Sequence, residues 1–376
     1  MQARKDSRSA NRLIHSGEYY PMYKAVFQLF LFCLIVTAAF SAAQAQSLVL
    51  DLPLRSQYAE VTQRIGVTTI TIKYSRPLVN ERKIWGGLVP YGKVWRTGAN
   101  TNTTISFSDP VIIQGKPLER GTYGLHTIPN DGEWTIIFSK NSTSWGSFTY
   151  DQAEDALRVN VKPKPADVHN ALTFEFDDLQ PNRATVALKW EKIEVPFTVA
   201  VDVREAVRAS LRKQFRTLSR YTWISWNDAA NYLLAEKIDL NDALAYAEKS
   251  IENEDRFENE ITKSKVLTAL NRQSEAAAVQ KKALDLGTPL QVHQFARELL
   301  AAKRSDEAFA IFRENAKKHP DKWFVHEGLA RMYSAQGRFD DAKKEIRAAL
   351  AIAPVNQKSD LNESLKELES GRDINQ

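Results

Sequence analysis

The chain has 376 residues, of which 43% are hydrophobic and 26% are charged, and its formal net charge is +5. This composition excludes a disordered chain, and the length exceeds what one hydrophobic core usually organises, so two domains are expected. Residues 1–45 hold five basic and two acidic residues, which leaves the rest of the chain at only +2. Because no dense run of Lys and Arg is interleaved with aromatic residues, no nucleic-acid partner is expected.

A secretory leader is predicted at the N-terminus. Residues 25–40 are almost wholly apolar, and the small-x-small pattern AQA follows and ends at Ala45. The apolar stretch is short for a membrane span, so we expect cleavage after Ala45, a periplasmic or cell-envelope location and no stable span. An uncleaved anchor is the alternative, and Met22 is an alternative start. The only cysteine, Cys33, lies in this stretch, so the mature chain would have no thiol chemistry.

A β-domain is predicted over residues 46–202. Apolar residues alternate with polar ones between residues 67 and 201, as at Val195, Phe197 and Val199. Eight or nine short strands result, separated by Gly, Pro, Asn and Asp. Without crossover helices the strands must be mainly antiparallel, and this number closes a jelly-roll-like antiparallel β-sandwich.

The pattern becomes helical after Asp202, a predicted N-cap, and residues 203–223 are predicted to form a connecting helix. Small residues then recur every 32 to 34 residues, at Ala243, Ala276, Ala308 and Ala342. Repeated helical hairpins have this period, because a small residue must lie where the second helix crosses the first. The units resemble tetratricopeptide repeats. We predict an all-α array of four such repeats over residues 224–360 and a polar tail over residues 361–376.

Three strings in the β-domain are similar to one uncharacterised bacterial family. They are IWGGLVPYG at residues 84–92, VWRTGAN at 94–100 and GTYG at 121–124. This part of the chain resembles domain of unknown function 2911. The resemblance implies an exported bacterial protein and members joined to tetratricopeptide repeats. It supplies no activity, because the family itself is unassigned.

The VWRTGAN string also holds the ligand-binding candidates of the β-domain. Trp95, Arg96 and Asn100 place an aromatic ring, a guanidinium and an amide around one glycine, a set that could bind a carboxylate or a sugar. His126 is a further candidate. The alternative is architectural: the glycine turns the chain while Arg96 and Asn100 satisfy buried backbone groups.

The repeats offer a candidate partner groove. If the last three repeats begin near residues 257, 289 and 323, then Lys265, Arg297 and Arg331 all occupy the ninth position, which lines the concave groove in this repeat class. Neighbouring groove positions hold His293 and Glu327. These residues predict a channel for an extended peptide or an acidic terminus. The alternative is that they are solvated charges on helix faces.

These observations favour a non-enzymatic binding or scaffold protein of the bacterial envelope. The repeats would bind a protein partner, and the β-sandwich would bind a small ligand or glycan or serve structurally. No nucleophile elbow, phosphate loop or dinucleotide fingerprint occurs, and no cofactor or metal is expected. The alternative is an envelope hydrolase or carbohydrate-binding enzyme with its site near Arg96 and Asn100.

Overall fold

The computed structural model describes residues 52–375, and the chain from Ala59 onward forms one compact unit. The predicted leader, residues 1–45, lies outside the described residues. Within residues 52–375, no helix has the length and hydropathy needed to cross a membrane.

Ten strands of the described residues form two antiparallel sheets. The strands are β1 (Gln57–Ile65), β2 (Thr68–Arg76), β3 (Thr104–Phe107), β4 (Val111–Ile113), β5 (Lys116–Leu118), β6 (Gly121–Ile128), β7 (Trp134–Ser139), β8 (Asp155–Val161), β9 (Lys164–Gln180) and β10 (Arg183–Ala200). One sheet has the order β1-β2-β3-β6-β7-β8, and the other has the order β5-β4-β10-β9. The first sheet therefore follows chain order, except that the β4–β5 hairpin belongs to the second sheet.

The two sheets share one hydrophobic core. Phe138 of β7 meets Phe197 of β10 edge to face at 5.8 Å, and Tyr74 of β2 meets Phe174 of β9 at 4.9 Å. These contacts bridge the sheets because inward-facing positions alternate along each strand. The antiparallel β-sandwich predicted from the sequence is confirmed.

Ten α-helices follow in the described residues. They are α1 (Val203–Gln214), α2 (Trp223–Ala235), α3 (Leu240–Asn253), α4 (Phe257–Ala269), α5 (Gln273–Leu286), α6 (Pro289–Ala301), α7 (Ser305–Lys318), α8 (Trp323–Ala335), α9 (Phe339–Ile352) and α10 (Lys358–Glu369). Asp202 caps α1 as predicted, since its carboxylate accepts from the Glu205 N–H at 3.0 Å.

Helices α2 to α9 pair as four successive hairpins, which confirms the predicted helical array. Helices α4, α6 and α8 begin at the residues that the repeat register requires, namely Phe257, Pro289 and Trp323. The four recurring alanines are buried on α3, α5, α7 and α9. Their small side chains allow the second helix of each hairpin to approach the first closely.

The predicted polar tail over residues 361–376 is wrong for most of its length. Residues Lys358–Glu369 form helix α10, whose Leu361 and Leu368 are buried against the last repeat. These two leucines lie seven residues apart and so share one helix face, a signal that the many charges around them obscured.

Candidate functional site

The VWRTGAN string forms a tightly held turn beside β6. The Trp95 N–H donates to the Thr127 carbonyl at 2.8 Å, and the Thr127 N–H returns a bond to Trp95 at 2.9 Å. Thr97 is buried with a φ of 55°, which is strained for a β-branched residue. A Cβ at Gly98 would lie 2.6 Å from Thr103 Oγ1, so only glycine fits there. Hydrogen bonds and close packing therefore hold the turn in this conformation.

Trp95, a predicted ligand contact, is partly buried and packs against the core of the sandwich. Its ring stacks on Trp190 with centroids 5.8 Å apart and meets Trp85 edge to face at 5.8 Å. Its Nε1 donates to the Gly98 carbonyl at 3.2 Å. The indole therefore fixes the turn from the inside.

Arg96 points from this turn to the loop between β7 and β8. Its Cζ lies 6.0 Å from the centroid of the Trp145 ring, and its Nε is buried without a hydrogen-bond partner. Burial lowers the pKa of this guanidinium from its ordinary value. Asn100 adopts a φ of 59°, which assigns it to the turn.

His126 lies on β6 under the same loop. Its side chain is 2% exposed, and its Nδ1 lies 3.1 Å from Ser147 Oγ. Burial lowers its pKa to about 4, and the nearby Asp155 carboxylate opposes that shift only in part. The imidazole is therefore neutral at pH 7. Because Arg96 reaches Trp145 and His126 reaches Ser147, the structure brings both candidates to one loop.

An ionic cluster beside His126 was missed by the sequence analysis. Tyr150 donates to Asp155 Oδ2 at 2.7 Å, and Arg158 Nε donates to the same oxygen at 2.5 Å. The Tyr150 ring lies 5.4 Å from the His126 ring. Burial, followed by the bond to Asp155, raises the pKa of the Tyr150 hydroxyl. Tyr150, Asp155 and Arg158 lie within nine residues of one another, but their spacing matches no motif that would have signalled them.

In the repeats, Glu327 of α8 gathers most of the predicted groove residues. Arg331 Nη2 lies 2.8 Å from Glu327 Oε1, Arg297 Nη1 lies 3.8 Å from the same oxygen, and His293 Nε2 lies 3.7 Å from Oε2. Lys265 instead pairs with Glu298 at 2.9 Å. The predicted row of three cations is thus divided between two places.

Burial lowers the pKa values of two residues next to Glu327. His293 is 2% exposed, and burial lowers its pKa to about 4, against the opposing effect of Glu327. Burial, followed by repulsion from Arg331, lowers the pKa of Arg297. One carboxylate therefore holds two cations beside a neutral imidazole.

The end of the described chain lies against this cluster. Arg331 Nη1 donates to the Ile374 carbonyl at 3.0 Å, and Ser334 Oγ donates to Asp373 Oδ1 at 2.7 Å. Asn375 Nδ2 donates to the Arg331 carbonyl at 2.9 Å. A cavity of about 270 Å³ remains, lined by Arg297, Leu300, Ala301, Arg331, Ile374 and Asn375. The chain itself thus occupies part of this region.

A second cavity of about 340 Å³ lies between the first helices of three repeats. Its polar lining comes from α2, α4 and α6: Asn227, Asn231, Glu258, Thr262, Lys265, Gln291, Gln294 and Glu298. Asn227 is buried and its Oδ1 has no hydrogen-bond partner, whereas Asn231 Oδ1 accepts from Thr262 at 3.3 Å. We call this the amide cavity. Asn231 holds the ninth position of α2, so the repeat register could have found it.

Comparison with known families agrees with this architecture. Residues 56–199 match the model of the family described as "Protein of unknown function (DUF2911)", and residues 299–358 match a "Tetratricopeptide repeat" model. The chain therefore matches the DUF2911 model in its β-domain and a tetratricopeptide model in its helical array, in agreement with the resemblances seen in the sequence. An array of this class indicates a scaffold that binds a protein partner.

One solved structure with helical repeats is similar to part of the chain. The chain is similar to a structure described as "Crystal structure of YrrB: a TPR protein with an unusual peptide-binding site". The identity is 15%, the TM-score is 0.26, and the match covers 43% of this chain and 82% of that one. No curated protein matches the sequence.

Proposed function

We propose that this protein is an exported scaffold whose repeats bind an extended peptide segment of a partner protein in the amide cavity. The observation that carries the proposal is the unpartnered Oδ1 of Asn227, buried in a cavity that three successive first helices line. A buried amide oxygen without a partner costs free energy, which an incoming N–H group would recover.

The chemistry of the amide cavity suits a peptide backbone. Asn and Gln side chains each carry a donor and an acceptor, as a peptide unit does, so they can pair with main-chain N–H and C=O groups of any sequence. The apolar part of the lining comes from Phe257, Ile261 and Phe295. Such a wall would take alternate side chains of an extended segment. Lys265, with its Nζ 5.8 Å from the Phe295 ring centroid, adds a cation at the rim.

A selected peptide tests the proposal. A displayed library of random twelve-residue peptides is selected on the immobilised full-length protein, and an enriched peptide is titrated by fluorescence anisotropy. The double variant N227A/N231A should bind at least about tenfold more weakly, because two hydrogen bonds to the backbone are lost. Asn362→Ala, an exposed position on α10, is the matched control and should bind like the parent. Failure to enrich any peptide, or equal binding by the double variant, would refute the proposal.

Export rests on the leader pattern and is tested separately. In a bacterial host with a periplasm, the protein recovered from the periplasmic fraction should begin at Gln46 when its N-terminus is read by mass spectrometry. A cytoplasmic protein that retains residues 1–45 would contradict this part of the proposal.

A further inference from the structure

The β-domain holds an arginine without an acidic partner. Among residues 52–375, no carboxylate forms an ion pair with Arg96, whereas Arg158 of the same domain is paired with Asp155 at 2.5 Å. Arg96 is half-buried, and its Nε has no hydrogen-bond partner. Holding a guanidinium partly out of water without a counter-charge is unfavourable. The site is therefore suited to an anion that arrives from outside.

The backbone around Arg96 is arranged to hold it in this position. Thr97, the next residue, is kept at a φ of 55° by bonds to Thr127 and Thr103. Strain of this kind is found where a fold must aim a functional side chain. Opposite, Gly146 has a φ of 76°, and a Cβ there would lie 3.0 Å from the Phe148 ring and 3.7 Å from Arg96 Nη1. The loop therefore passes within contact distance of the guanidinium, and its φ and the Phe148 ring favour glycine at this position.

Two exposed aromatic residues lie beside the guanidinium: Trp145 is near Arg96, and Phe148 stacks on Trp145. Trp145 is 64% exposed and Phe148 is 81% exposed, although both are large and apolar. Their rings stack at a centroid distance of 6.1 Å with an interplanar angle of 13°. The stacked pair gives an exposed apolar surface next to the cation, and exposed aromatic rings hold other aromatic rings or the apolar faces of sugar rings.

We propose that Arg96, Trp145 and Phe148 form a binding site for a small ring-bearing monocarboxylate, such as a uronic acid or an aromatic acid. The carboxylate pairs with the guanidinium, and the ring lies on the Trp145–Phe148 surface. A single negative charge is favoured over a phosphate dianion because Arg96 supplies one cation, and Arg158 is already held by Asp155 and Tyr150.

Calorimetric titration of the full-length protein with defined probes tests this site. Glucuronate or benzoate should bind, while glucose, which lacks the carboxylate, and inorganic phosphate should bind at least tenfold more weakly. Arg96→Gln should weaken binding of the carboxylate probe at least about tenfold, since it removes a charge-assisted bond. Arg96→Lys should restore part of the loss.

Two further variants complete the test. Trp145→Ala should weaken binding of the carboxylate probe severalfold. Because the Trp145 ring is exposed, this variant should fold. Arg183→Gln removes another arginine, exposed at the start of β10, and should leave binding unchanged. If neither carboxylate binds at 10 mM, the proposal is overturned. The proposal is also overturned if Arg96→Gln binds the carboxylate as tightly as the parent. If Arg96→Gln does not fold, equal binding by Trp145→Ala and the parent overturns it instead.

Discussion

Replacing Glu327 with Gln should destabilise the repeats far more than the same change at Glu298. Both glutamates pair with a cation of the first-helix face at nearly equal distance, 2.8 Å to Arg331 and 2.9 Å to Lys265. Their surroundings differ, because the Glu327 side chain is 10% exposed and the Glu298 side chain is 62% exposed. Removing the buried charge leaves Arg331 uncompensated and weakens its bonds, which we expect to cost about 2–3 kcal/mol. The exposed pair should be worth less than about 0.5 kcal/mol.

Urea denaturation followed by circular dichroism at 222 nm measures this difference. With a slope of about 2–3 kcal/mol per molar urea, Glu327→Gln should lower the midpoint of the helical transition by about 1 M. Glu298→Gln should move it by no more than about 0.2 M. Equal midpoints for the two variants would refute the claim that burial gives the Glu327 cluster its strength.

Three further predictions concern histidine titration, close packing and the end of the chain. Because burial lowers the folded-state pKa of His126 to about 4, the unfolded chain binds more protons between pH 6.5 and 4. The free energy of unfolding should therefore fall as the pH drops through this window, by ~3 kcal/mol at most from this residue. His126→Gln should make the urea midpoint depend less on pH in the same window. Gly124→Ala places a Cβ 2.3 Å from the Asn141 carbonyl, so it should lower the free energy of unfolding by about 1–3 kcal/mol. At Gly132 a Cβ meets open space, so Gly132→Ala should change it by no more than about 0.5 kcal/mol in the same urea denaturation experiment. The backbone N–H of Ile374 donates to Ser334 Oγ at 3.1 Å. Ile374→Ala should increase the rate of hydrogen exchange at this backbone amide, because the side chain that anchors the segment is shortened. An unchanged exchange rate would contradict the docking of this segment.

Local periodicity was enough to predict the fold. The alternation at residues 195–199 reports a strand that is buried on one side, and the alanines every 32 to 34 residues report helix crossings. Both are signals within one element or one repeat. Helix α10 was not predicted because its apolar face is narrow, with Leu361 and Leu368 among charged neighbours.

The sites were harder to predict because they depend on contacts between distant segments. The repeat register correctly aligned Arg297 and Arg331, but it could not show that Glu327 lies between them. Likewise, the VWRTGAN string suggested Arg96 without revealing that Trp145, about fifty residues away, lies over it. The packing of Trp95 against the sandwich core could not be predicted either, because an aromatic residue in a turn gives no sign of which way its ring faces.

Helix α10 and the segment after it set a limit on the length of the helical array. In stacked hairpins, each repeat presents an apolar face on which the next repeat would pack. Here Leu361, Leu368 and Ile374 cover that face on the last hairpin. At the other end, α1 joins the stack to the sandwich, since Val203 and Ala206 pack into the β-domain core. Because the face of the last hairpin is covered, a repeat inserted directly after it would meet an occupied surface, which limits extension of the array in that direction.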